Sequence, residues 1–283
     1  MSYLQGRNMI ELLLVLLLIP LAVAIEGIRR KIVAHMHNRT GPPLIQPFYD
    51  LIKLFGKESF IRNNMVFSMV PYLAFLCSLV LALIIPFSVL KFDFDFLVIG
   101  YLFILQDTFY IFGAVASRSP FGTYASVREL LLMLGYEIAF LIVISLFFFK
   151  SGAVGFADYD TEFAILQMPF ASIFLIFTAF VILRVTPFDV MVAAPEISAG
   201  FFSEYSGKKL AFLEIAEWLK DFLVYVLLGV LLFGKIYGLV LAPLFMFFYA
   251  VMLTSSPRYS TVTTVKVFLV LALLAFLDLF ILV

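Results

Sequence analysis

This sequence has few charged residues and little cysteine. Only 13% of its 283 residues are charged, whereas 64% are apolar. A water-soluble domain of this size could not hide so much apolar surface. The composition therefore excludes an ordinary soluble protein and predicts a polytopic membrane protein.

Side chains that bind metals are also scarce. The chain has one cysteine, Cys77, which lies in an apolar run, and two histidines, His35 and His37. These numbers exclude disulfides, zinc clusters and cysteine-ligated iron–sulfur centres within the chain. No glycine pattern typical of a nucleotide site occurs. We therefore predict no catalytic redox centre, no metal and no cofactor here, so that any electrons are carried by another polypeptide.

Long apolar runs are abundant. A helix needs about 17–25 such residues to cross a bilayer, and seven runs meet this requirement directly. An eighth, starting at residue 211, carries acids in its first turns. The first run lacks a small-residue cleavage site, so we interpret it as a retained span. We predict an all-α protein with one membrane domain, residues 1–283, and about eight transmembrane helices. The predicted spans are 9–28, 66–90, 96–116, 130–149, 163–183, 211–234, 236–254 and 265–283.

The basic residues predict the orientation. Fifteen follow the odd-numbered spans, and four (Arg7, Lys91, Lys150 and Lys235) lie on the opposite side. The positive-inside rule then places both termini outside and the long loops in the cytoplasm of a multi-pass cell-membrane protein. The fifteen are Arg29, Arg30, Lys31, Arg39, Lys53, Lys57, Arg62, Arg118, Arg128, Arg184, Lys208, Lys209, Lys220, Arg258 and Lys266.

The first long loop contains the polar stretch RTGPPLIQPFYDLIKLFGKE, residues 39–58. Its Gly-Pro-Pro turn ends the first helix, because proline lacks a donor and has a fixed backbone dihedral. Apolar residues then recur at helical spacing, with charges on the other side, which predicts an amphipathic helix at the cytoplasmic interface. Two roles remain open for it, a lipid-surface anchor or a docking surface for a soluble partner. The apolar positions are Ile45, Phe48, Tyr49, Ile52 and Phe55, and the charged ones are Asp50, Lys53 and Lys57.

Acids at membrane depth are the second signal. Asp107 falls in the third predicted span, Glu137 in the fourth, and Glu129 at the start of the fourth. A charge near the bilayer centre costs about 2.5–3.5 kcal/mol even on the lenient insertion scale. Glu129 and Glu137 are about 12 Å apart along a helix, too far for contact but suited to a water-linked relay. Structural acids held by hydrogen bonds are the alternative.

Three further acids share one helical arc. Glu214, Glu217 and Asp221 are spaced i, i+3 and i+7. Their mutual repulsion favours retention of protons near neutral pH. The alternative is a helix that starts in water, where acids favour the N-terminus. By contrast, Glu26 and Asp278 lie near span ends, and we expect them to be interfacial.

The third signal is RVTPFDVMVAAPEISAGFFSEYSGKK, residues 184–209. It leaves the fifth span and carries Asp189, Glu196 and Glu204. So much polar backbone at a membrane surface needs hydrogen-bond partners. A solvated loop would supply them, as would the roof of a cavity or a subunit interface.

Three stretches, in order and spacing, resemble the H-type membrane subunit of respiratory complex I and its relatives in energy-converting, membrane-bound NiFe hydrogenases and sulfane reductase complexes. The resemblance covers about residues 10–255. The stretches are 39–58; VASRSPFGTYASVREL with GYE (115–130 and 135–137); and PFD, PEISAGFFSEYSG and AEW (187–189, 195–207 and 216–218).

The resemblance implies two sets of functional residues. The first would dock a hydrophilic redox arm and comprises Arg39, Gln46, Asp50, Lys53, Lys57, Glu58 and Arg128. The second, which also includes buried acids singled out above, would relay protons and comprises Asp107, Glu129, Glu137, Asp189, Glu196, Glu204, Glu214, Glu217 and Asp221.

Departures from complex I favour the hydrogenase-like branch. The stretch from Gly41 to Gln46 is short, Val192 and Ala194 replace expected glutamates, and Pro120 replaces a lysine. The resemblance implies hydrogenase-large-subunit-like and iron–sulfur partners on the cytoplasmic face, which would carry the iron–sulfur clusters and a NiFe centre if one exists. It also implies antiporter-like membrane subunits alongside, the lipid bilayer around the chain, and no nucleic acid.

Four functions are therefore carried forward, one of them a purely structural anchor for the redox arm. The first is an anchoring and energy-coupling subunit of a ferredoxin-linked hydrogenase-like or sulfur-reducing complex. The second is the corresponding subunit of a quinone-reducing complex I. The third is a stand-alone proton or sodium transporter, whose expected marks are paired halves with broken helices near the midplane.

Overall fold

A computed structural model describes residues 2–60, 64–159, 163–189, 200–275 and 277–278, with side chains from residue 13 onward. Four residues named in the sequence analysis lie outside the described residues: Arg62, Val192, Ala194 and Glu196.

Within those ranges the chain forms ten α-helices and one 3₁₀ turn, and no strand. This confirms the prediction of an all-α fold. The helices are α1 (Ser2–Met36), α2 (Gln46–Phe55), α3 (Met65–Ile84), α4 (Asp95–Ala116), α5 (Pro120–Ser151), α6 (Ala164–Gln167), α7 (Pro169–Ile182), α8 (Gly207–Phe233), α9 (Lys235–Ser255) and α10 (Thr261–Ala275), with the 3₁₀ turn at Phe202–Glu204.

Four of these helices, α3, α4, α5 and α9, are long and apolar enough to cross a membrane, and α7 and α10 are shorter apolar helices. The polytopic membrane character is therefore confirmed. The count of eight spans, the extent of the domain and the side on which the termini lie stay predictions.

Prolines account for the differences from the predicted boundaries. Helix α3 ends at Ile84 and not at residue 90, because Pro86 disfavours a helical conformation in the residue before it. The fifth span is divided at Met168, because Pro169 has no amide donor and starts a new helix, α7. Helix α5 starts at Pro120, ten residues before the predicted span, since proline is well suited to a first helical position.

Helix α8 lies at the centre of the bundle. It packs against α3 and α9 and also contacts α1, α2 and α7. Most of its residues are buried on every side. Gly229 of α8 faces Gly238 of α9, where an added Cβ would collide with backbone, so the two helices cross at very short range. The acids of α8 are therefore surrounded by other helices.

The long loops meet at one end of the bundle. The Phe60 amide donates to Ser206 Oγ (3.0 Å), which joins the first loop to the segment before α8. Asn64 donates to the Ala116 carbonyl at the end of α4 (3.1 Å). The Tyr259 amide, between α9 and α10, donates to the Pro187 carbonyl (3.0 Å). We call this region the loop end.

Helix α2 forms as predicted, and it has in addition a second apolar face that packs on the bundle. Pro47, Leu51 and Leu54 pack on the bundle, whereas Tyr49 and Ile52 are 57% and 68% exposed. The helix has three faces: one against protein, one charged, and one apolar and exposed. The helical spacing of apolar residues in the sequence does not distinguish the face that packs on the bundle from the apolar face that is exposed. The exposed one suits the membrane interface.

Candidate functional site: a buried charge network

Arg184 is the hub of a buried group of charges. Its Nη2 donates to Asp107 Oδ1 (2.6 Å) and its Nη1 to Glu217 Oε1. Its Nε lies 3.9 Å from Glu129 Oε1. The side chain of Arg184 is only 5% exposed. One guanidinium therefore meets three carboxyl groups from three helices.

A second cation completes this group. Lys220 is fully buried, and its Nζ donates to Asp107 Oδ1 (2.6 Å). The Tyr110 ring lies beneath both cations, 4.6 Å from Arg184 Cζ and 5.7 Å from Lys220 Nζ. Gln106 Nε2 donates to Tyr110 Oη (2.8 Å). We call the group formed by Asp107, Glu129, Arg184, Glu217 and Lys220 the central cluster.

Helical spacing explains how the fold assembles the central cluster. Asp107 and Tyr110 are three residues apart in α4, and Glu217 and Lys220 are three apart in α8, so each pair shares a helix face. Arg184 follows the end of α7 in the left-handed backbone region (φ 49°), which turns the chain toward α4 and α8. Each helix thus brings part of the set to one point.

The charges of the central cluster do not balance. Three carboxyl groups face two cations, so full ionisation would leave one surplus negative charge in a buried place. An uncompensated buried charge is costly, and sharing one proton among the carboxyl groups removes it. The arrangement is therefore suited to taking up and releasing a proton.

A second charge group links α1 and α2. Glu26 accepts from Arg29 Nε (2.6 Å) and Arg30 Nε (2.9 Å), and Arg30 Nη1 donates to Asp50 Oδ2 (2.8 Å). Burial disfavours the charged form of Arg30, but hydrogen bonds and charge from Glu26 and Asp50 outweigh burial and raise its pKa. The guanidinium also lies over the Trp218 ring at 5.4 Å. We call Glu26, Arg29, Arg30 and Asp50 the α1–α2 cluster.

Asp221 lies between the two clusters. It is 7% exposed, one helical turn after Glu217 in α8, and it interacts electrostatically with both Glu217 and Arg29. Its Oδ1 is buried and accepts no hydrogen bond from the described residues. Acids on α8 therefore connect the α1–α2 cluster at the loop end with the interior.

The predicted relay residues divide into three groups. Asp107, Glu129 and Glu217 come together in the central cluster, and Asp221 adjoins it. Glu214 is partly buried and interacts with Arg30 and Asp50.

The remaining relay residues lie elsewhere. Asp189 accepts from Arg258 Nη2 (3.0 Å), Glu204 ends the 3₁₀ turn, and Glu137 is partly exposed two turns along α5 from Glu129. Glu196 is outside the described residues.

The predicted docking residues are mostly at the surface. Asp50 belongs to the α1–α2 cluster, with Gln46 Nε2 donating to its Oδ1 (3.2 Å) and Lys53 Nζ at 3.9 Å. Arg128 is different, because it is only 9% exposed and its Cζ lies 5.5 Å from the Tyr124 ring centre. The exposed members are Arg39, Lys53, Lys57 and Glu58.

Sequence reasoning misplaced three cations. The sequence assigns Arg128, Arg184 and Lys220 to the fifteen loop cations, but all three are buried inside the bundle. The rule that assigns cations to loops cannot recognise a cation neutralised by acids on neighbouring helices. A usable signal was present, because Lys220 adjoins Asp221 and follows Glu217 by three residues in an otherwise apolar run.

Glu26 is more enclosed than its place near a span end indicates. That it is an interfacial acid stays a prediction, but within the chain it is 5% exposed and accepts hydrogen bonds from two arginines. Its spacing to Arg29 and Arg30, i+3 and i+4, was the signal that could have found this cluster.

Metal ligation finds no support in the described ranges. No group of three or more His, Cys, Asp or Glu side chains there is arranged to hold a metal ion. That cofactors belong to partner subunits stays a prediction.

The fold and the clusters define an all-helical membrane protein with ionisable groups buried between its helices. The chain belongs to the NADH dehydrogenase family, whose model matches residues 9–283. It is 28% identical to the H-type subunit of NADH-quinone oxidoreductase from Thermomicrobium roseum, covering 91% of this chain and 87% of the relative. It is also 28% identical to NADH-ubiquinone oxidoreductase chain 1 of Apis mellifera ligustica, covering 80% and 79%.

A solved structure shares the fold. A chain of the membrane-bound sulfane sulfur reductase, an archaeal respiratory membrane complex, superposes with a TM-score of 0.84 at 22% identity, over 95% of this chain and 98% of that chain. The resemblance to the H-type membrane subunit, predicted from three motifs, is confirmed.

Proposed function

We propose that this chain is the membrane-anchoring and energy-coupling subunit of a multi-subunit, ion-translocating oxidoreductase. It docks a hydrophilic redox arm at the loop end and starts a proton path into the membrane. The observation that carries the proposal is the central cluster, where Arg184 contacts Asp107, Glu129 and Glu217 inside the bundle. Membership of a family whose relatives are named as subunits of quinone oxidoreductases supports it.

The docking surface is built from two loops that hold each other. The Lys209 amide donates to Ser59 Oγ (3.2 Å), and a Cβ on Gly207 would lie 2.5 Å from the Glu58 carbonyl oxygen. Tyr205 stacks on Phe67 with ring centres 4.1 Å apart, which fixes the second loop on α3. Exposed charges therefore sit on a rigid support, as a docking site for hydrogenase-large-subunit-like and iron–sulfur subunits requires.

The proton path starts with electrostatic coupling. A charge change in the docked arm alters the field at the α1–α2 cluster, and Asp221 connects this cluster with the central cluster. A shift in which carboxyl group holds the shared proton then reaches Glu129. By linkage, protonation inside the cluster changes the redox equilibrium of the arm in return.

Glu137 provides the exit from the chain. It is partly exposed on α5, between Leu134 and Ile138, which are 70% and 72% exposed. An acid facing lipid at membrane depth is costly, whereas an acid facing another membrane subunit can pass a proton on. The antiporter-like subunits implied by the motifs are the proposed recipients.

Sequence features favour a hydrogenase-like or sulfur-reducing complex. The Gly41 to Gln46 stretch is short, and Val192 and Ala194 replace acids. The names of the 28% identical relatives favour the second candidate, a quinone-reducing complex. Metal analysis of the complex purified in mild detergent tests the hydrogenase type: nickel with iron supports it, and iron alone supports a quinone-, sulfur- or other acceptor-reducing type. A metal-free homo-oligomer would contradict both and favour a transporter, which ion flux through the purified chain would then establish.

The direct test replaces Glu129 by Gln in the purified complex, reconstituted in liposomes. We expect electron transfer to continue with most proton uptake lost, because the cluster can no longer exchange a proton at this position. The matched control is Asp93→Asn, an exposed acid before α4 at the opposite end of the bundle. An unchanged ratio of protons to electrons in Glu129→Gln would overturn the proposed path.

A further inference from the structure

The connection between α9 and α10 holds the segment that delivers Arg184. Thr186 Oγ1 donates to the Leu253 carbonyl (3.0 Å) at the end of α9. The Tyr259 amide donates to the Pro187 carbonyl (3.0 Å), and Arg258 Nη2 donates to Asp189 Oδ2 (3.0 Å). Residues 184–189, which we call the Arg184 turn, are therefore attached at three successive points.

Aromatic packing adds to this attachment. Phe188 is 1% exposed, and its ring meets Tyr259 edge to face with centres 5.9 Å apart. It also meets Phe268 of α10, with centres 5.1 Å apart. The Arg184 turn is thus fixed by hydrogen bonds on one side and by ring contacts on the other.

Arg184 needs such support. It is a residue with a side chain in the left-handed backbone region, where steric crowding makes the conformation unfavourable unless surrounding contacts impose it. Its amide donates to the Val181 carbonyl (3.0 Å), a single-turn bond at the end of α7. A small change in the backbone here would move the guanidinium away from three acids.

We propose that Arg258 is a positioning residue for proton transfer. Through its ion pair with Asp189 it fixes the Arg184 turn, and so it keeps Arg184 centred among Asp107, Glu129 and Glu217. This inference rests on the proposed function of the central cluster. The pair lies at the loop end, with Arg258 28% exposed, so it is reachable from the surface where the redox arm would dock.

The first test measures coupling in the reconstituted complex. We expect Arg258→Gln to lower proton uptake per electron about fivefold or more while electron transfer continues. Arg258→Lys keeps the charge and should restore most of the loss. The matched control, Lys266→Gln, removes an exposed positive charge from the neighbouring helix α10 and should behave as the unmodified protein.

The second test measures backbone protection without reference to proton transport. Hydrogen–deuterium exchange of peptides that cover residues 184–189 should accelerate in Arg258→Gln and not in Lys266→Gln. Unchanged exchange in Arg258→Gln would overturn the positioning role, even with Glu129→Gln defective. Faster exchange with an unchanged proton ratio would also overturn it, because the turn would move without consequence. An unaffected Glu129→Gln variant would instead count against the proposed function itself.

Discussion

Lys220 and Arg184 share one acceptor, Asp107 Oδ1, which lies 2.6 Å from both cations. The side chains of Lys220, Arg184 and Asp107 come from α8, from the end of α7 and from α4, respectively. All three are nearly inaccessible to solvent. Two cations on a single oxygen are stable only while other carboxyl groups supply negative charge nearby, which Glu129 and Glu217 do. The stability of the central cluster therefore depends on its balance of charge.

Replacing Lys220 by Met tests this dependence. The substitution keeps the volume of the side chain but leaves Asp107 with one cation fewer. Breaking a buried pair from one side costs about 3–5 kcal/mol, so we expect thermal unfolding in detergent at a clearly lower temperature.

The double variant Lys220→Met with Asp107→Leu removes one cation and one carboxylate together. It therefore leaves the net charge of the central cluster the same as in the unmodified protein. It should recover much of the lost stability, because replacing a whole buried pair by apolar groups is often nearly neutral. A double variant less stable than Lys220→Met alone would contradict the view that unpaired charge causes the loss.

Glu137→Gln should separate transport from stability. Glu137 is partly exposed and forms no ion pair with the described residues, so removing its charge should change thermal unfolding little. Proton uptake by the reconstituted complex should nevertheless fall while electron transfer continues. A complex that keeps both activities would exclude Glu137 from the path.

Much of the fold could be predicted because it depends on local patterns. The long apolar runs predicted the helices, and the sequence around Asp50 predicted α2. The central cluster could be predicted only in part, because its members come from distant positions. Asp107 stood out as an acid within a predicted span, Glu129 as an acid at the start of one, and Glu217 as one of three acids on a single helical arc. Nothing local indicated that Arg184, which leaves α7 beside a proline, would turn inward to meet them.

Charge reversal at the docking surface should weaken attachment of the redox arm. Lys57 is exposed in the first loop, next to Glu58 and the contact with Gly207. We expect Lys57→Glu to reduce the amount of soluble subunits that co-purify through a tag on this chain. The difference from the unmodified chain should shrink as the salt concentration rises, because ions screen the exposed charge contact that the reversal alters.

The matched control for this reversal is Lys91→Glu. Lys91 is exposed between α3 and α4, at the opposite end of the bundle. Lys91→Glu changes the charge of the chain by the same amount as Lys57→Glu. Equal loss of partners in both variants would therefore show that net charge, and not the loop end, governs attachment.

We expect that no residue with a side chain can replace Gly207 without a loss of stability, for two reasons. Its φ is +56°, which disfavours any L side chain, and an added Cβ would lie 2.5 Å from the Glu58 carbonyl oxygen and 2.8 Å from the Lys57 carbonyl oxygen. Gly152 shares the first feature, with φ +67°, but no atom of the described residues lies within 4 Å of its added Cβ. Comparing the two alanine variants therefore isolates the contact between the two loops.

Gly152→Ala should cost only the left-handed backbone term, about 1–2 kcal/mol. Gly207→Ala must in addition push the first loop away from α8, so its unfolding temperature should fall further and co-purification of soluble partners should decrease. If Gly207→Ala retained its partners as well as Gly152→Ala does, the joined loops would not be the support on which the redox arm docks.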